Sequence, residues 1–186
     1  MKGFSNRYIM VFSVVMVVSV AILLSLTALL LQPMQEKNVE VEKKIQILSS
    51  INVYSDRSNA VELYDRHIKE SFVINTEGNR VEGVDAFTVT LRAEQKKPLE
   101  QQSLPVFIAV ADNGDTLHIL PLEGKGLWGP IWGYVALKKD LSTIAGVTFD
   151  HKGETPGLGA EINTTPFESQ FHDKSIFENG SFVSVK

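Results

Sequence analysis

The residues with most chemical potential in this 186-residue chain lie in two glycine-rich segments. The first is Gly124-Lys125-Gly126-Leu127-Trp128-Gly129-Pro130-Ile131-Trp132-Gly133-Tyr134. Its four glycines let another backbone or a flat molecule come close, and its two tryptophans offer wide apolar faces. If the segment is extended, Trp128 and Trp132 share one face, being four residues apart. A glycine-punctuated strand whose tryptophans fill the core fits the same composition. The second segment is Gly153-Glu154-Thr155-Pro156-Gly157-Leu158-Gly159. It combines a carboxylate, a hydroxyl, a proline-set φ and glycines, so its amides can converge on an anion as a nest. A type II turn centred on Pro156 and Gly157 accounts for the same residues.

Other chemistries lose support. His67, His118, His151 and His172 show no pairing at metal-ligand spacing, and His118 alternates within an expected strand, so structural roles and no metal site are expected. No G-x-S-x-G elbow, Walker loop or dinucleotide fingerprint is present. The absence of cysteine excludes disulfides, thiolate zinc sites, cysteine-ligated iron–sulfur clusters and a cysteine nucleophile. A net charge of −4 argues against nucleic acid as partner. No side chain is singled out as a catalytic acid, base or nucleophile.

The elements that must position the two segments begin with a membrane span. Residues 9–31 carry no charge, and a helix of that length covers about 34 Å, enough for a hydrocarbon core of roughly 30 Å. Lys2 and Arg7 precede the span and every acidic residue follows it. The short N-terminus (1–8) is therefore expected in the cytoplasm and the remainder outside. Residues 32–57 read as a juxtamembrane helix or stalk, and the globular domain is expected over 58–186. Within it, apolar residues from Ala60 to Phe72 recur at helical spacing, which predicts a helix over 58–72 with Ser58 as N-cap. Glu77-Gly78-Asn79 marks a turn. Phe87, Val89 and Leu91 alternate as in a half-buried strand, and Lys96 to Ser103 reads as a loop. Two hairpins follow, 106–110 with 116–120 around Asp112-Asn113-Gly114-Asp115, and 131–137 with 144–149 around Lys138-Lys139-Asp140. A short helix is expected over 164–171, with Pro166 near its start. The fold class is α+β: one N-terminal transmembrane helix, then an antiparallel sheet with flanking helices.

E-T-P-G-L-G after a strand, with G-K-G-L-W-G-P-I-W-G-Y some 30 residues earlier, resembles the extracytoplasmic FMN-binding domains of bacterial redox pumps. The resemblance is nearest to the C subunit of the Na+-translocating NADH:quinone oxidoreductase and spans almost the whole chain. The G-L-W-G version of the first motif favours that family over the related G subunit of the Rnf complex. A non-redox, membrane-anchored binding module is the reading from another class. The resemblance implies FMN as cofactor, other subunits of a bacterial inner-membrane complex as partners, and a periplasmic domain. It implies an electron carrier that has no complete activity alone, within a machine coupling NADH oxidation and quinone reduction to sodium export. By the same resemblance Leu127, Trp128, Gly129, Glu154, Thr155, Pro156, Gly157, Leu158 and Gly159 contact the cofactor. Lys174 is added for the phosphate on charge alone. The family attaches FMN through a threonine in an S-G-A-T-like motif, which this sequence lacks. With Phe182-Val183-Ser184-Val185 reading as a strand cut short, a C-terminally truncated chain is expected, and no attachment threonine is assigned.

Overall fold

A computed structural model describes residues 5–178 and 180–183, in two compact units, residues 1–40 and 41–186. Helix α1 (Asn6–Ser50) is continuous and contains Pro33. In the first unit its apolar side chains are exposed, among them Val17, Leu24 and Leu30. It is the one helix among the described residues long and apolar enough to cross a membrane. Each such side chain left in water forgoes roughly 1.5–3 kcal/mol of transfer free energy, so the segment calls for a lipid environment. Lys2, Asn179, Ser184 and Val185 lie outside the described residues.

The second unit begins inside α1. Ile47, Leu48 and Ile51 are buried among Val73, Phe107, Ile119 and Tyr134, so the stretch read as stalk ends in the core. Gly146 sits so near the end of α1 that a Cβ there would lie 2.5 Å from the Ser50 carbonyl oxygen.

Helix α2 (Ala60–His67) is shorter than its sequence pattern predicts, because Ile68 leaves the helix for strand β1 (Ile68–Ile74). Ile68 and Phe72 fit both periods, and pairing with a neighbouring strand decides between them. Ser58 is not the cap: Asp56 Oδ1 accepts the Ser58 and Asn59 amides ahead of the helix. A turn with Gly78 at φ +84° leads to β2 (Arg80–Val81). The strand predicted over 87–91 is absent. Asp85 instead turns the chain by accepting the Phe87 amide on its carboxylate and the Thr88 amide on its carbonyl. The short helix α3 (Leu91–Glu94) follows. Lys97 and the Ser103 amide bind Glu94, whose pKa their hydrogen bonds hold down, and this closes the next loop.

Strands β3 (Leu104–Val110), β4 (Thr116–Lys125), β5 (Pro130–Leu137) and β6 (Ile144–His151) form a meander that confirms both hairpins. The sheet order is β2-β1-β3-β4-β5-β6, antiparallel throughout. Alternation along β5 sends Tyr134 and Ala136 to the α1 face, and Val135 and Leu137 to the other. The second face is closed by the chain after β6. This comprises a 3-10 turn over Gly159–Asn163, helix α4 (Thr165–Glu168) and another 3-10 turn, Ser169–Phe171. There Phe149, Phe167 and Phe171 pack with ring centroids 5.4–6.0 Å apart. A two-stranded ribbon, β7 (Phe177–Glu178) and β8 (Ser181–Phe182), ends the described chain.

The β5–β6 turn is held by Asp140, which accepts the Ser142 and Thr143 amides and the Thr143 hydroxyl. These bonds depress its pKa to about 2. A depressed carboxylate contributes stability above its unfolded pKa of roughly 3.9 and loses it as pH falls toward the folded value. Asp140→Ala is expected to lower the unfolding temperature by a constant amount from pH 7 to about 4. The gap should close between about pH 4 and 2. Thermal scans of both proteins across that range check this.

Candidate functional site

The two glycine segments leave the sheet at the same end. Lys125 pairs with Pro130 and Ile131 pairs with His151, so the β4–β5 tip and the loop after β6 are neighbours. The tip is Gly126-Leu127-Trp128-Gly129, closed by the Gly126 amide donating to the Gly129 carbonyl at 2.8 Å. Trp128 is therefore not in a strand, and it does not share an extended face with Trp132. Its side chain is 70% exposed, beside Leu127 at 83%. Trp132 is half-buried and donates its indole N–H to Gln46 Oε1.

The second segment contains the expected type II turn. The Leu158 amide donates to the Thr155 carbonyl, and Gly157 sits at φ +75°, a conformation that side chains with a Cβ rarely adopt. The Gly157 amide donates to the Glu161 carboxylate of the same chain at 2.9 Å. Thr155, Pro156 and Leu158 face outward, Leu158 with 74% exposure.

Glu154 joins the two loops. It is only 8% exposed, and its Oε1 accepts the Trp128 amide at 2.9 Å. Its own amide donates to His151 Nδ1. The carboxylate lies where Gly126 and Gly159 leave room for it. A Cβ on Gly126 would stand 2.3 Å from Oε1, and one on Gly159 3.0 Å from Oε2. Both glycines are thus explained by one buried carboxylate. Three large apolar side chains, Leu127, Trp128 and Leu158, are presented outward from the two loops that Glu154 joins.

Nine of the ten expected site residues come together here. Lys174 does not: its carbonyl accepts the Ile144 amide, at the far end of β6. Seven residues of strand, roughly 23 Å, separate that point from His151. Arg92 and Lys125 line a cavity of about 360 Å³ beside the tip with Gln95, Glu123 and Trp128. Arg92 and Gln95 belong to α3 and its end, and the strand pattern predicted there gave no sign of them.

The arrangement suits a flat, amphipathic cofactor. It offers apolar faces for a ring system, and polar backbone and cations for a charged tail. Comparison with known proteins points the same way. Residues 126–183 match the FMN-binding domain family. The C subunit of the Na(+)-translocating NADH-quinone reductase of Vibrio vulnificus (strain YJ016) is 28% identical over 172 residues, covering 84% of this chain and 67% of that protein. The crystal structure of the same subunit from Parabacteroides distasonis ATCC 8503 superposes with a TM-score of 0.75 and 43% identity. The match covers 83% of this chain and 74% of that one. Shewanella oneidensis NqrC gives a TM-score of 0.66 at 25% identity, over 79% and 78% of the two chains.

Gly126→Ala forces the Glu154 carboxylate away and takes the acceptor from the Trp128 amide. A loss of about 1–3 kcal/mol in unfolding free energy is expected. Gly153→Ala, whose Cβ would meet nothing within 4 Å, is expected to stay near wild type. Denaturant titration of the pair checks the claim, and equal losses would contradict it.

Proposed function

The chain belongs to the family of the C subunit of the Na(+)-translocating NADH-quinone reductase, and from that premise we propose that its FMN sits against the two loops tied by Glu154. It is an FMN-binding electron-transfer subunit associated with the membrane. The observation that carries the placement is the outward display of Leu127, Trp128 and Leu158 from two loops joined by the Trp128 amide–Glu154 hydrogen bond. FMN supplies what side chains cannot, acceptance of electrons as a pair or one at a time.

The protein's part is to bind, orient and shield. Trp128, Leu127 and Leu158 flank the ring system or its chain, and the Glu154–Gly159 backbone borders it. Gly129 keeps the tip compact against Lys152, whose Cβ would stand 3.2 Å from a Cβ at that position. Arg92 and Lys125 supply the positive charge that a phosphate requires. Other subunits of the complex carry NADH oxidation and quinone reduction, and the assembly couples them to sodium export. This chain alone is an electron carrier.

Orientation follows the flanking cations, with the N-terminus cytoplasmic and the domain outside. Protease added to intact spheroplasts should digest the domain, and full protection beside a cleaved external control would reverse the assignment.

The loop assignment is tested by titrating the chain with FMN and following flavin fluorescence. Trp128→Ala should weaken binding by about 0.5–1.5 kcal/mol through loss of an aromatic face. Gly157→Val has open space around its Cβ but a φ of +75°. The strain, about 1–3 kcal/mol, should distort the loop and reduce binding in molecules that remain folded. Wild-type affinity in both folded variants would remove these loops from the site.

A further inference from the structure

We infer that Gln46, on α1, is a positioning residue for the two loops, although it lies about 80 residues before the first of them. A hydrogen-bonded chain runs from its side chain to the Trp128 amide through groups on β6 and the loop after it. Gln46 Nε2 donates to Asp150 Oδ2 at 2.9 Å, and Gln46 Oε1 accepts the Trp132 indole N–H at 3.2 Å. Asp150 Oδ1 accepts the His151 amide at 2.7 Å. His151 Nδ1 accepts the Glu154 amide at 3.1 Å, and Glu154 Oε1 accepts the Trp128 amide at 2.9 Å.

The chemistry of the first link selects an amide. Asp150 and Trp132 are cross-strand partners on β6 and β5, one an acceptor and the other a donor. Only a group that donates and accepts at once satisfies both. A glutamate would accept from the indole but repel the Asp150 carboxylate, and a leucine would take the partner from the indole and from Asp150 Oδ2 alike. Gln46 thereby fixes the Asp150 carboxylate, which fixes the start of the loop carrying His151 and Glu154. Immediately onward, Ile47 and Leu48 are buried in the core, so the helix holding Gln46 is itself immobilised. Every link of the relay is one of the protein's own groups. Its bearing on electron transfer rests on the reading that these loops hold FMN.

Residue-resolved hydrogen exchange of the full chain in detergent, with Gln46→Leu, Gln46→Glu and Gln46→Asn, tests it. In the leucine and glutamate variants the Trp128 and Glu154 amides should exchange roughly five- to tenfold faster, for one lost hydrogen bond. Core amides such as Phe107 and Ile119 should keep their wild-type rates. Asparagine, which keeps the amide chemistry, should recover part of the protection. Unchanged exchange at Trp128 in a folded Gln46→Leu protein would overturn the relay, as would an equal rise at Ile119, which would mean general destabilisation. FMN titration of the same proteins separates the two readings. Faster Trp128 exchange with unaltered FMN affinity would uphold the relay and overturn the placement of FMN on these loops.

Discussion

One buried carboxylate ties together the two glycine-rich loops at one end of this domain. Glu154 gives up water and receives in return the Trp128 amide, with its own backbone amide satisfied by His151. Removing a carboxylate from water costs several kcal/mol unless charge-assisted hydrogen bonds replace the lost solvation. That need explains residues that look unrelated in the chain. Gly126 and Gly159 lack side chains because the carboxylate occupies the space. The large apolar side chains of both loops, Leu127, Trp128 and Leu158, face out.

The sheet makes that interaction possible. Two segments almost 30 residues apart meet because β4, β5 and β6 form a meander whose pairing runs from their turns to their open end. Apolar residues on both faces of β5 lock this register, since a one-residue slip would exchange the two cores. Helix α1 contributes at both levels, through Ile47 and Leu48 in the core and Gln46 at the edge of the site. A cofactor bound at such an end meets a scaffold that is already ordered, which keeps the ordering cost of binding low.

Much of this was legible in the sequence, where one physical rule governs a segment. The uncharged run of 23 residues, both hairpins and the Pro156-Gly157 turn follow from composition and turn chemistry alone. The proximity of the two glycine segments was suggested by resemblance and required the register to be seen. Sequence pattern and structure differ where two rules compete. Ile68 and Phe72 satisfy a helix as well as a strand, and pairing with β3 decided. Phe87, Val89 and Leu91 alternate like a strand, yet the Asp85 carboxylate turned the chain there. Charge alone points to Lys174, and charge carries no information about which end of β6 it reaches. Glu154 stood out as a polar residue in a ligand loop. Its role as the bolt between loops depends on a contact across 26 residues that no local pattern encodes.

Whether the two loops tied by Glu154 form the FMN surface is tested most directly by amide chemical-shift mapping of the isotope-labelled domain during FMN addition. The largest shifts are expected at residues 126–129 and 154–159, with the Asp140 turn and the amide of Lys174 unmoved. Shifts concentrated around that turn and Lys174, with the two loops silent, would contradict the placement.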